Sequence, residues 1–203
     1  MKCIIIGAGS FNNPKIIKEK DDLLICADGG YLYAAKQDLK VDLLVGDFDS
    51  LKDIPLDVQT VKLNKIKDET DLYIAIEEGI KRGYQTFDIY GALGGRIEHT
   101  IANIQILANL KSKGLTAKLI DDKTIVEMLS TGTYTYNERC GYISLFSYTN
   151  ESTITIKNLL YEVNHKTISN KFPLGIDNEF IGKESTVTVH NGLVLSIINK
   201  KND

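Results

Sequence analysis

The first 122 residues repeat one arrangement: an apolar run of strand length, a turn rich in Gly or Asp, then helical spacing. Runs at 2–6, 23–27, 41–45, 86–90 and 117–120 read as strands, and weaker alternation through Val58, Val61 and Leu63 reads as another within 55–65. Between them, Asn13-Pro14 predicts an N-cap with proline at the first helical position and a short helix to about residue 20. Residues 31–38 predict a second short helix. Leu72, Ala75, Ile76 and Ile80 share one face of a third, stopped at Gly83. Ile97, Ile101, Ile104, Leu107 and Leu110 are the apolar positions of a fourth over 97–113, stopped at Gly114. Strands that alternate with helices pair in parallel through crossover connections, so this half is predicted to be an α/β fold with a parallel sheet covered on both faces.

Near residue 123 the period changes. Residues 143–148, 152–156, 185–190 and 193–198 alternate with period two and are rich in β-branched side chains. Asn191-Gly192 stands between the last two runs and predicts a hairpin. Short strands at this spacing predict an antiparallel β-sandwich. The chain therefore reads as two domains, 1–122 and 123–203, with no Gly/Ser/Pro linker and no internal repeat.

Composition removes several function classes. Charged residues make up 25% and the net charge is -3 without a long block of one sign, so no nucleic-acid footprint is expected. No apolar run reaches membrane-spanning length, and the opening Met1-Lys2-Cys3-Ile4-Ile5-Ile6-Gly7 reads as a first strand rather than a signal peptide. Cys3 and Cys26 lie inside apolar runs and Cys140 is distant, which predicts free thiols, no zinc site and a cytoplasmic location. His165 and His190 have no metal-ligand spacing.

The chemistry concentrates at the turns that follow the strands, the edge at which open α/β sheets bind ligands. Val45-Gly46-Asp47-Phe48-Asp49-Ser50-Leu51 aims two carboxylates, Asp47 and Asp49, at one spot. They repel unless a cation lies between them, and Mg²⁺ held by carboxylates and substrate phosphates fits. Asp71 is read as a third carboxylate of that metal site, with Asp68 as the cap of its helix. Asp28-Gly29-Gly30 ends the second strand, where glycine lets backbone approach a ligand. Gly91, Gly94 and Gly95 precede a helix, so their N–H groups can cradle phosphate, and Arg96 adds a planar fork for phosphoryl oxygens. Arg96, His99 and Asn103 form a polar stripe at i, i+3, i+7. Together these groups point to nucleotide-dependent phosphoryl transfer. Gly7-Ala8-Gly9 lacks the third glycine of a dinucleotide fingerprint, having Asn12 there, and no Walker A or kinase His-Arg-Asp loop is present.

Four blocks in order, Ala27-Asp28-Gly29-Gly30, Gly46-Asp47-Phe48-Asp49-Ser50, Asp68-Glu69-Thr70-Asp71 and Gly91-Ala92-Leu93-Gly94-Gly95-Arg96-Ile97-Glu98-His99, resemble the thiamine pyrophosphokinase family, as does Leu174-Gly175-Ile176-Asp177-Asn178-Glu179-Phe180. The resemblance implies an N-terminal ATP-binding α/β domain, a thiamine-binding β-sandwich, a homodimer with thiamine between subunits, and Mg²⁺-dependent transfer of pyrophosphate from ATP to thiamine. It assigns metal and catalysis to Asp47, Asp49 and Asp71, with Arg96 also catalytic. ATP falls to Asp28, Gly29, Gly94, Gly95, Arg96, His99 and Asn103, and thiamine to Asp177 and Asn178. Glu98 stands where the family has Asp, Asp177 where it has Ser, and the chain has no Trp to stack on thiamine.

Two other readings compete. Asp47-Phe48-Asp49-Ser50-Leu51 resembles the nucleophile loop of haloacid-dehalogenase phosphatases, with Asp47 phosphorylated and Asp121-Asp122 as a second acidic pair. That loop usually follows the first strand, whereas two expected strands precede it here. A non-enzymatic nucleotide-binding regulator would bind ATP without releasing AMP.

Overall fold

A computed structural model of the protein describes residues 1–10, 12, 14–48, 58–64 and 69–201. The chain divides into two compact units, Met1–Asp122 and Lys123–Asp203. The first contains β1 (Cys3–Ile6), β2 (Leu23–Ala27), α1 (Gly30–Lys36), β3 (Leu43–Gly46), β4 (Gln59–Lys62), α2 (Asp71–Lys81), β5 (Thr86–Tyr90), α3 (Ile97–Ser112) and β6 (Thr116–Ile120).

Within this unit the strands stand in the order β6-β5-β1-β2-β3-β4, every neighbouring pair parallel. Side chains alternate across the strands, so Ile4, Ile6, Leu24, Cys26 and Leu44 face α1 and its Ala34. Cys3 faces α2, whose Gly79 lies so close that a Cβ there would come within 2.9 Å of the Cys3 sulfur. Both faces of the central strands are therefore buried, and β1 to β3 read as unbroken apolar runs. The parallel α/β expectation is met.

Three local expectations are not. Residues 14–20 form no helix, although Pro14 suits a first turn. Their backbone is bonded from elsewhere: Gln37 accepts from the Ile16 N–H at 3.2 Å and donates to the Pro14 carbonyl at 2.9 Å, and Asp22 accepts from the Glu19 N–H. The cap of α2 is Thr70, whose hydroxyl accepts from the Tyr73 N–H at 3.2 Å. Asp68 lies outside the described residues, as does Asp49. On α3, Leu107 and Leu110 are buried, but Ile97 is 74% exposed and Ile101 54%. The buried face turns instead through Asn103.

The second unit contains β7 (Thr124–Leu129), β8 (Gly132–Tyr136), β9 (Tyr142–Ser147), β10 (Glu151–Lys157), β11 (Val163–Ser169), β12 (Gly175–Glu179), β13 (Ser185–Asn191) and β14 (Val194–Asn199). They pair antiparallel as β12-β9-β14-β7 and as β11-β10-β13-β8. Leu129, Ile143, Leu145, Val194 and Ile198 from the first set and Tyr136, Ile154, Ile156, Val187 and Val189 from the second form one core.

The Asn191-Gly192 hairpin is not formed. Among the described residues β13 pairs with β8 and β10, whereas β14 pairs with β7 and β9, so the turn passes the chain from one set to the other. Gly192 adopts φ +86°, and the Thr149 hydroxyl accepts from the following Leu193 N–H at 3.2 Å. A Cβ on Gly192 would overlap the Ser152 hydroxyl and come within 2.7 Å of the Glu151 carbonyl. Gly192→Ala is accordingly expected to destabilise the protein by about 2 kcal/mol, read as a lower urea midpoint at unchanged slope. A wild-type midpoint would show that this turn carries no such constraint.

Candidate functional site

β2, β3 and β4 continue to one side of β1, whereas β5 and β6 lie on the other, so the strand order reverses between β1 and β5. Ligands of open α/β sheets bind beyond the carboxyl ends of strands at such a reversal. Here the turns after β1 and β5 are joined: the Gly7 N–H donates to the Tyr90 carbonyl at 2.8 Å, and the Gly9 N–H to the Gly91 carbonyl at 2.9 Å. A Cβ on Gly91, at φ +62°, would overlap the Gly7 carbonyl oxygen. Glycine is therefore required where the two backbones meet.

A cavity of about 570 Å³ opens there, the size of a small-ligand site. Asp28, Asp71, Gly94, Gly95, Arg96, His99 and Asn103 all line it. Asp47 and Gly29 are not among the lining residues, and Asp177 and Asn178 belong to the second unit. Gly29 caps α1, and a Cβ on the next residue, Gly30, would overlap the Ile6 carbonyl, so Gly30 seats α1 against β1.

Asp28 is held at φ +45° with its N–H donating to the Val45 carbonyl at 2.9 Å, and its Oδ1 accepts from the Phe48 N–H at 3.4 Å. Phe48 also takes a left-handed φ, +63°. Non-glycine residues in that region store backbone strain, which clusters at functional sites. Gly46 has no room for a side chain, because a Cβ would overlap the Asp28 carboxylate. Burial pushes the Asp28 carboxyl up to about 6, reinforced by its hydrogen bond to Asp71 and by repulsion from Asp71 and Asp47. Two further expected acids, Asp71 and Asp47, thus act on Asp28.

No group of three His, Cys, Asp or Glu among the described residues is already arranged to hold a metal ion. The donor chemistry nonetheless fits one. Asp28, whose proton affinity is raised by burial and by Asp71 and Asp47, would be relieved by a hard divalent cation as well as by a proton.

Arg96 caps α3 without a side-chain cap bond, and its Nε donates to Glu98 at 2.6 Å. Glu98 is held below the usual carboxylate range by its own backbone N–H and by Arg96. Both side chains are largely exposed, so the fork remains reachable from the cavity. Asn103 is buried, and its amide donates to the Ala92 carbonyl at 2.8 Å. It therefore braces the glycine turn, which an expected polar stripe on the helix surface does not describe.

Several lining residues had no site role in the sequence reading, among them Ser10, Tyr33, Thr70 and Leu72. Ser10 extends the first glycine turn, which was a usable signal. Tyr33, whose hydroxyl donates to the Gly9 carbonyl at 3.1 Å, gave none, because that contact spans two separate turns.

Residues 15–119 match the thiamin pyrophosphokinase catalytic domain, and residues 133–194 match the vitamin B1 binding domain of the same enzyme. Thiamine pyrophosphokinase of Bacillus subtilis is 28% identical over 134 residues, which are 64% of this chain and 63% of that protein. The match thus spans somewhat less than two thirds of that relative's length. A crystal structure of thiamine pyrophosphokinase from Bacillus subtilis superposes with a TM-score of 0.91 at 22% identity, covering 100% of both chains, a likeness of fold. That of a probable thiamine pyrophosphokinase from Staphylococcus saprophyticus gives 0.74 at 29% identity, again covering 100% of both.

The raised value at Asp28 has a defined sign. The folded chain holds this proton more tightly than the unfolded chain, so the site's contribution to stability is complete below the ordinary carboxylate value of about 4 and is lost as pH rises through about 6. In metal-free buffer Asp28→Asn is expected to flatten the fall in urea midpoint across that interval. A fall as steep as wild type would assign the slope to other groups.

Proposed function

Since the chain belongs to the thiamin pyrophosphokinase family, we propose that it transfers the pyrophosphoryl group of ATP to the hydroxyl of thiamine, giving thiamine diphosphate and AMP. The observation that carries this reading is the cavity at the strand-order reversal, where glycine turns and Arg96 face Asp28 and Asp71. Backbone N–H groups and a guanidinium suit polyphosphate, and carboxylates suit its counter-cation. The family match leaves the haloacid-dehalogenase reading without support.

In this reading the first unit is the ATP-binding domain, and Asp47, Asp49 and Asp71 would hold Mg²⁺, with Asp28 beside them. When bound, that ion offsets the charge of the transferring and leaving phosphoryl groups. Gly94, Gly95 and Arg96 hold the polyphosphate, and Gly29, His99 and Asn103 complete the nucleotide site, Asn103 by bracing the Ala92 turn. The thiamine oxygen bonds to the β-phosphorus as the bond from that phosphorus to the α,β-bridging oxygen breaks, and AMP leaves with that oxygen. The hydroxyl proton passes to a carboxylate of the acidic set. Positioning and fixed charge supply most of the rate.

The second unit is read as a β-sandwich that binds thiamine through Asp177 and its surroundings. We place the protein in the cytoplasm as a homodimer. Free Cys3, Cys26 and Cys140 favour a reducing compartment, and exposed Leu160, Phe172, Leu174 and Ile176 favour a subunit interface. Among the described residues no helix is long and apolar enough to cross a membrane.

The direct assay combines ATP, Mg²⁺ and thiamine and quantifies AMP and thiamine diphosphate. AMP-free ATP binding would identify a regulator, and a phosphoaspartate trapped at Asp47 a phosphatase. Asp47→Asn and Asp71→Asn are each expected to remove most of kcat while the fold persists, and wild-type kcat at saturating Mg²⁺ in either would remove it from the metal site. Arg96→Lys replaces a two-point contact with a single point of charge. Its expected loss is about 3 kcal/mol of transition-state stabilisation, roughly a hundredfold in kcat/KM for ATP. An unchanged kcat/KM would make Arg96 a surface residue.

A further inference from the structure

Asp121 follows the last residue of β6, and one residue of a distant turn engages both of its carboxylate oxygens. Oδ1 accepts from the Asn12 N–H at 3.3 Å, and Oδ2 accepts from the Asn12 side-chain amide at 2.6 Å. Asn12 lies beyond β1, and β6 stands two strands from β1 with β5 between them. The contact therefore ties together turns from strands that are not neighbours. A two-point bond to a charged acceptor is stronger and more directional than a single neutral one. Neither Asn12 nor Asp121 lines the cavity, so whatever the pair does there it does through another residue.

What the grip fixes is the outer end of the first glycine turn. The inner end is held separately: the Gly9 N–H donates to the Gly91 carbonyl, and the Tyr33 hydroxyl donates to the Gly9 carbonyl at 3.1 Å. Between these anchors stands Ser10, exposed and lining the cavity. Asn12 is two residues further on, a reach of about 7 Å at most, so anchoring it limits how far Ser10 can travel. The Ser10 side chain stands over the second glycine turn. A Cβ on Gly94 would come within 3.3 Å of its hydroxyl, and one on Gly95 within 3.4 Å. With no side chains there to shield it, that hydroxyl can donate into the space that Arg96 also lines.

We propose that Ser10 is a further contact for the polyphosphate, and that Asp121 is the positioning residue that holds it there through Asn12. The inference rests on the ATP reading above and adds residues that lie outside the four sequence blocks. Charge makes the role of Asp121 distinctive. An anion near a polyphosphate weakens its binding, so a carboxylate at this place is expected to help only through the grip.

The test measures ATP binding to the full chain by calorimetry with Mg²⁺ and without thiamine, then KM for each substrate. Ser10→Ala is expected to weaken ATP binding about tenfold, the loss of one hydrogen bond to a charged group. Asp121→Ala and Asn12→Ala are expected to weaken it similarly, although removing the Asp121 charge would by itself strengthen it. Asp121→Asn keeps an acceptor for the Asn12 amide and is expected to recover part of the loss. Asp121→Ala in the Ser10→Ala background is expected to add nothing, because the grip acts through Ser10. Asp122→Ala removes the neighbouring charge and is expected to bind ATP as wild type does. KM for thiamine and the urea midpoint are expected to hold in every variant, which a general loosening of the fold would not allow. Losses that add, or ATP binding in Asp121→Ala as tight as wild type or tighter, would overturn the positioning role. Wild-type affinity in Ser10→Ala would overturn the contact. A wild-type chain that binds no ATP would instead overturn the reading beneath both.

Discussion

The approach of two glycine backbones, Gly7 and Gly91, is the constraint on which the first unit depends. These residues follow adjacent strands, and each has the carbonyl of the other within reach of where a Cβ would stand. Their closeness lets the turn after β1 donate to the turn after β5, which fixes the floor of the cavity at the strand-order reversal. Any side chain at Gly91 would push the turns apart and open the cavity. The glycine turn Gly91–Gly95 is braced from α3 by the buried Asn103 amide on the Ala92 carbonyl and by the Thr100 hydroxyl on the Gly94 carbonyl.

The acids are set on this floor at a cost. Asp28 lies in a left-handed conformation next to a strand whose Gly46 leaves room for its carboxylate, and neighbouring Asp71 and Asp47 raise its proton affinity. A chain folded only for stability would place an amide or an apolar residue there. Strain and repulsion at these carboxylates fit the proposed cation site, because a bound cation would supply the missing opposite charge.

The second unit solves a different problem, joining two antiparallel sets of strands over one core. The turn at Gly192 carries the chain between them, with the Thr149 and Ser152 hydroxyls packed where a side chain would stand. On β12 the same unit departs from regular pairing and leaves Asp177 and Ile176 at the surface, with Tyr161 gripped alongside. Irregularity is tolerated at this edge because Asn178 and Ser144 satisfy the backbone groups that the ladder gives up.

Much of this was legible in residue order. Apolar runs closed by Gly or Asp turns predict parallel strands, period-two runs predict antiparallel ones, and the acidic and glycine blocks fall on one edge because a parallel sheet puts every such turn at the same end. What periodicity cannot carry is partner choice. Pro14 suits a helix, yet Gln37 and Asp22 bond the backbone of that segment. Asn191-Gly192 suits a hairpin, yet the run before it pairs with β8 and β10 and the run after it with β7 and β9. Ile97 and Ile101 share the apolar spacing of Leu107 and Leu110, but no neighbour among the described residues covers them, and Asn103 turns inward to reach a carbonyl instead. Sequence by itself determined the elements, their class and the chemistry of the turns, since these follow from local spacing and side-chain type. Tertiary structure decided which strands meet, which face of α3 is buried and which amides brace backbone, since each depends on contacts between residues far apart in the chain.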